Sequence, residues 1–210
     1  MARNILAIGA HYDDVELGCS GTLVKHVNAG DNVTIVVVTD SEYRGYDGNI
    51  VRGGEIAHEE GITAAKLIGG DLICLDYGTF EVPFDERLTT ELGRIVTARN
   101  IDTVYAHWIH DIHRDHQFAG RCALMAGRHV PRFLMFRSNF YDSDRTFRGN
   151  FYSDISDEFG VKLDVIKAHK SELERVRYKW TEFFTNQNAN DGQKIGVTYA
   201  ECFEVVRYLV

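Results

Sequence analysis

Ala10-His11-Tyr12-Asp13-Asp14-Val15-Glu16-Leu17-Gly18 sets a histidine and two adjacent carboxylates within four residues. Adjacent like charges repel, and each must be solvated or paired. At the end of an apolar run, such a pair reads as a site rather than as a stabilising feature. A second unusual stretch, His107-Trp108-Ile109-His110-Asp111-Ile112-His113-Arg114-Asp115-His116, holds four of the nine histidines. A hydrolytic zinc site needs about three nitrogen or oxygen donors and an open position for water. Two histidines and one carboxylate meet that requirement. A carboxylate beside the metal, not itself a ligand, can accept a proton from the attacking water, so the Asp13-Asp14 pair offers one ligand and one base. A nearby Tyr or His would stabilise the oxyanion or protonate the leaving group, and His113 is the natural choice. Each cluster alone is ordinary, since paired acids are common on solvated loops and Asp115 would serve as a helix cap.

The elements that must position these residues follow from periodicity. Ile5-Leu6-Ala7-Ile8 predicts a buried strand over 4–10, and a helix follows from about Glu16, stopping at Gly30. The β-branched run Val33 to Thr39 predicts a strand covered on both faces. Residues 40–51 are polar and glycine-bearing and read as a long loop or lid. Helical spacing resumes over 52–69, then a strand at 72–75, a helix over 85–98 and a strand at 103–106 that opens into the histidine-rich stretch. A helix over 117–128 and a strand at 133–136 complete the pattern. Residues 138–153 have no clear period and read as a rim. A long charged helix is expected over 157–180 and a polar loop over 184–196. Residues 199–207 suit either a helix or a strand. The alternation predicts an α/β fold with βαβ units and a doubly wound, mainly parallel sheet, a Rossmann-like three-layer sandwich. Ligands bind such sheets at the carboxyl ends of the strands. Both clusters fall at such ends, roughly a hundred residues apart, so folding would bring them together.

The 210 residues suit a single domain, 1–210, with a well-buried core. Acids outnumber bases 31 to 23, a formal charge of -8, with no run of Lys or Arg; nucleic acid is not an expected partner. Cys19, Cys74, Cys122 and Cys202 are scattered and read as small core residues in a reducing cytosol. No stretch approaches the roughly 20 apolar residues of a membrane span, and no signal pattern opens the chain, so a cytoplasmic protein with no membrane partner is expected. A homo-oligomer is compatible with the sequence, which does not decide it.

At the two clusters the sequence resembles the LmbE-like or PIG-L-like zinc-dependent N-deacetylases, whose first motif, A-H-P-D-D-E/x-x-x-G, stands here as Ala10 to Gly18. The second, H-x-D-H, stands as His113-Arg114-Asp115-His116, and the resemblance continues through Ala64 to Gly69 and Lys167 to Ser171. It implies that His11, Asp14 and His116 bind Zn2+, or another divalent transition metal, and that Asp13 is the general base. It also implies that His113 assists at the tetrahedral intermediate and that Asp115 orients His113 or a neighbouring ligand. The implied reaction removes an N-acyl group, usually acetyl, from an amino sugar or related small-molecule substrate. Tyr12 replaces the usual proline, and its ring could face substrate. Glu60 matches a family glutamate, but Ala57 stands where its partner arginine belongs, which makes Arg52 the candidate substitute in substrate binding. Two other readings compete: a Mg-dependent phosphohydrolase, disfavoured because histidine ligands suit transition metals, and a non-catalytic metal- or sugar-binding protein.

Overall fold

The computed structural model describes residues 2–210. β1 (Asn4–Gly9) lies between β2 (Asn32–Thr39) and the strand Thr103–His107, parallel to both. Its side chains from Ile5 to Ile8 are at most 1% exposed, as the near-continuous apolar run of a centrally placed parallel strand demands. α1 (Asp14–Asn28) crosses from β1 to β2. A short antiparallel pair, β3 (Tyr43–Arg44) and β4 (Ile50–Arg52), occupies the expected 40–51 loop and precedes α2 (Gly54–Ile68). β5 (Asp71–Tyr77) then pairs with β2, and α3 (Glu86–Ala98) leads back across to β6 (Thr103–His107). α4 (Arg114–Ala126) and β7 (Arg132–Phe136) follow.

The seven-stranded sheet has the order β5-β2-β1-β6-β7-β9-β8, where β8 is Phe151–Asp154 and β9 is Ala200–Tyr208. Its first five strands are mutually parallel, β9 runs antiparallel to β7, and β8 pairs antiparallel to β9. The chain winds outward from β1 to β2 and β5, then returns to β6 on the other side. The crevice between the carboxyl ends of β1 and β6 is therefore the topological switch point. One core cluster packs α1, α2 and the helix around Val165 on one face, and a second packs α3 and α4 on the other.

The C-terminal third differs from the sequence reading. The expected helix over 157–180 is three pieces: α5 (Phe159–Ala168), α6 (Lys170–Arg175) and the start of α7 (Lys179–Ile195). The first break is His169, buried and 3.6 Å from Glu16; the second is Arg177 and Tyr178, both at positive φ. The expected loop over 184–196 is most of α7. Its inward face is Phe184, Asn188, Asp191 and Gly192, a helical period hidden because three of the four are not apolar. Asn188 donates to Ala200 O at 2.9 Å, and a Cβ on Gly192 would meet Val197 O at 2.7 Å. Residues 199–207, undecided from periodicity, form β9.

Lys162 and Glu201 hold α1 in place from this late part of the chain. Both are essentially unexposed and 2.6 Å apart; Lys162 Nζ also donates to Leu17 O, while Glu201 accepts from the N–H groups of Gly21 and Thr22. The pair thus substitutes for turns of the α1 hydrogen-bond ladder. Lys162→Met leaves a buried carboxylate without its cation, and urea unfolding is expected to show a loss of about 3–5 kcal/mol. A loss under about 1 kcal/mol would mean that the pair does not hold α1.

Candidate active site

Asp14 opens α1 at the mouth of the crevice, with 3% exposure. Its carboxylate accepts the His11 N–H at 2.7 Å and the Ser138 hydroxyl at 2.8 Å. Three imidazole nitrogens also face it: His107 Nε2 at 3.0 Å, His116 Nε2 at 3.1 Å and His11 Nδ1 at 3.4 Å. Burial opposes its charge, but His116, His107 and these hydrogen bonds hold the carboxyl well below the usual range. His116 Nε2 and His11 Nδ1 are 3.3 Å apart. Two ring nitrogens and a carboxylate therefore converge from segments that the sequence separates widely.

The far nitrogen of each ring faces a buried carboxylate. His11 Nε2 lies 3.2 Å from Asp115 Oδ2, which also accepts the Phe80 N–H at 2.7 Å. His116 Nδ1 lies 3.3 Å from Asp111 Oδ1. Asp111 is fixed in turn by Asn139 Nδ2, at 2.8 and 2.9 Å, and by the His113 N–H. Carboxylate-backed histidines are the usual support of metal ligands, because the carboxylate fixes the tautomer and orients the inner nitrogen. Burial disfavours the cationic rings, yet the surrounding carboxylates raise His11 to about 9 and His116 to about 10. The site therefore attracts positive charge between these rings. Nitrogen and oxygen donors facing one another in a buried anionic setting fit a divalent transition metal. Neighbouring donors are grouped as His11, His113 and His116, and as Asp14, His107 and His116.

Asp13 caps α1 from a strained conformation, φ 125° and ψ -26°, with its N–H donated to Glu16 Oε2. A non-glycine residue at positive φ costs about 1–3 kcal/mol. Burial and the charge of Asp14 push its carboxyl up to about 7, while Arg52, with Nη1 at 3.6 Å, opposes the rise. His113 caps α4 and accepts the Asp115 N–H on Nδ1 at 3.2 Å, which puts the proton of the neutral ring on Nε2. Burial, with His116 and His11 nearby, lowers its pKa to about 4. The ring stacks between Phe80 and His116. Asp13, Asp14, His11, His113 and His116 all line one cleft of about 640 Å³, whose outer wall carries Tyr43, Phe80, Ile112, Tyr141 and Trp180.

Tyr12 sits otherwise than expected, whereas Arg52 lines the same cleft. The Tyr12 ring is unexposed and turned from this cleft; it packs where a Cβ on Gly61 would stand, and its hydroxyl meets His58 Nδ1 at 2.6 Å. The apolar core behind the loop, rather than substrate, takes the ring. Arg52 belongs to β4 rather than to a helix and is 3% exposed. It donates to Tyr12 O, Ser171 Oγ and Glu60 Oε2, and Nη2 lies 3.3 Å from His169 Nδ1. With its donors engaged by the protein, it positions the Asp13 turn. His107, Asp111 and Ser138 were not singled out from the sequence. His107 carried a signal, a polar residue ending an apolar strand as His11 does. Ser138 carried none.

The chain has well-matched relatives. Residues 6–126 match the family described as PIG-L: GlcNAc-PI de-N-acetylase. The chain is 30% identical over 183 residues to the uncharacterized deacetylase YaiS of Escherichia coli (strain K12), covering 80% of this chain and 91% of that protein. The N,N'-diacetylchitobiose deacetylase from Pyrococcus horikoshii, solved with its inhibitor MPG, superposes with a TM-score of 0.85 at 24% identity, over 98% of this chain and 84% of that one. GalB, the 4-carboxy-2-hydroxymuconate hydratase of Pseudomonas putida KT2440, superposes at 0.80 and 17%, over 99% and 98%. These superpositions show the fold, which carries more than one reaction.

A cation entering between His11 and His116 must displace the proton shared between their inner nitrogens. Zinc titrated at pH 7 by calorimetry, in buffers of different ionisation enthalpy, is expected to release at least about one proton per ion. Release of none would mean that these nitrogens do not bind it.

Proposed function

The chain belongs to the PIG-L, GlcNAc-PI de-N-acetylase family, and from that premise we propose that it is a zinc-dependent hydrolase removing an N-acyl group, acetyl in the first instance, from an amino sugar or a related small amine. The observation that supports this most is the convergence of His11 Nδ1, Asp14 and His116 Nε2 within 3.4 Å, beside the raised carboxyl of Asp13. In this reading His11, Asp14 and His116 hold the metal, Asp115 and Asp111 orient the two rings, and Asp13 is the base.

Bound there, zinc would supply a Lewis acid for the amide carbonyl and a water that ionises near neutral pH. Asp13 accepts the proton of the attacking water as the new C–O bond forms. A carboxyl whose pKa is raised by burial and by Asp14 is suited to taking that proton and then returning it. His113 donates Nε2–H to the carbonyl oxygen as negative charge gathers on it. The C–N bond then breaks, and the proton held by Asp13 goes to the leaving nitrogen. The products are the free amine and a carboxylate. Phe80 and Ile112 on the outer wall exclude water from the reacting amide.

Three histidines around one carboxylate count against a Mg-dependent phosphohydrolase. An acetate-release screen of the zinc-loaded protein against N-acetylated amino sugars and their glycosides tests the reaction itself. Asp13→Asn is expected to keep stoichiometric zinc while kcat/KM falls about 10²–10⁴-fold; full activity in that variant would remove Asp13 as the base.

The acid limb of the pH profile tests the same assignment independently. Asp13 works deprotonated, so kcat/KM falls as pH drops through its pKa. The guanidinium of Arg52 holds that pKa down, and a bound cation adds to the effect. Arg52→Gln leaves burial and Asp14 less opposed, so the limb should move to higher pH. A limb that stays in place or moves lower would contradict Asp13 as its source.

A further inference from the structure

Beyond the cleft lies a second cavity of about 330 Å³, sharing Ile112, Tyr141 and Asp142 with it as a common wall. Trp108, Arg137, Arg145 and Phe147 form its floor and sides. In a chain with a net charge of -8, the half-buried Arg137 and the exposed Arg145 both line it, and neither has an ion pair among the described residues. Arg137 Nη2 lies 3.4 Å from the neutral Gln187 Oε1, and its guanidinium stacks 5.6 Å from the centre of the Phe147 ring. Arg145 Nη1 lies 3.3 Å from His110 Nε2. Asp111, which also borders the cavity, is already engaged by His116, Asn139 and the His113 N–H. Asp142 on the shared wall is exposed, as Arg145 is, and makes no ion pair with either arginine.

Two buried donors lie behind this lining. Trp108 is 4% exposed and its Nε1 has no partner; Arg137 Nε has none either. Indole and guanidinium are donors only, and a buried donor without an acceptor costs about 1–3 kcal/mol. An acceptor with several oxygens in the cavity would neutralise the guanidinium groups, whose Nη atoms otherwise meet only the neutral Gln187 and His110. Carboxylate and phosphate are the groups that match arginine in this way.

We propose that the Trp108–Arg137–Arg145 cavity is an anion subsite of the cleft, taking a carboxylate or phosphate carried on the amine half of the substrate. The subsite rests on the deacylase reading for its place in the reaction, but not for its affinity for anions. It makes the preferred substrate an acidic N-acyl amino sugar rather than a neutral one, with Arg145 and Arg137 as specificity determinants. The amide sits over Asp13 and the acid reaches across the Ile112–Tyr141 wall.

Turnover of N-acetylglucosamine, its 6-phosphate and an N-acetylated amino sugar acid would be compared in the zinc-loaded protein and in Arg145→Gln. One of the two acids should exceed the neutral sugar in kcat/KM by at least about tenfold, and which one identifies the anion. Arg145→Gln should collapse that ratio towards one, whereas Arg148→Gln, an equal loss of charge outside the cavity, should keep it. Independently of turnover, sulfate titrated into Trp180→Phe, where Trp108 is the sole tryptophan, should change its emission saturably. Adding Arg145→Gln should weaken that response at least about tenfold. Deacylation with no preference for an acid, together with a sulfate response indifferent to Arg145, overturns the subsite and leaves the reaction standing. A response that needs Arg145 in a protein that deacylates nothing keeps the anion site and removes the reaction.

Discussion

The buried carboxylate of Asp14 is the constraint on which the site depends. A carboxylate taken out of water must be compensated by donors or cations on nearly every side. Here the compensation comes from His11 and its backbone N–H after β1, His116 in the first turn of α4 and Ser138 after β7. All three segments leave the carboxyl edge of adjacent parallel strands. The sheet order therefore makes the charge tolerable, and the charge in turn ties those strand ends to one point. Asp111 and Asp115 repeat the arrangement one layer out, each fixing one imidazole of the cluster.

Asp13 shows the complementary case. It is covalently next to Asp14, yet one carboxyl is held well below the usual range and the other is pushed up to about 7. Histidines surround Asp14, whereas Asp13 has one guanidinium at 3.6 Å and Asp14 itself as a like charge. The positive φ of Asp13 turns the two side chains to different surroundings. Backbone strain is retained where the surrounding contacts over-determine it, here the Glu16 carboxylate below and the Arg52 network above. Arg52, Glu60, Ser171 and His169 link β4, α2 and the α5–α6 junction to that turn.

Much of the fold was legible because it rests on local rules. The parallel strands are continuous apolar runs, and the helices between them have an apolar stripe and end in glycine or a short polar turn. The legible signals fail in the C-terminal third. α7 turns Asn188, Asp191 and Gly192 inward, so its period is invisible to a hydrophobicity pattern although its geometry is regular. The helix expected over 157–180 breaks at His169 because the ring is drawn into the Glu16 and Arg52 network, a demand made by residues more than a hundred positions away.

Sequence alone determined the chemistry available and the edge of the sheet where it would stand. Residue types and spacing mark His11, Asp13, Asp14, His113, Asp115 and His116, and strand–helix alternation puts them at strand ends. Tertiary structure decided how those groups divide the work. Asp115 backs His11, Asp111 backs His116, Tyr12 turns into the core, and Arg52 is enclosed beside Asp13 rather than solvated. The physical reason is that spacing fixes only which groups can meet, whereas burial and the partners on every side set each group's charge, tautomer and direction. Those partners come from β4, β7 and the α5–α6 junction, which no local pattern connects to the two motifs.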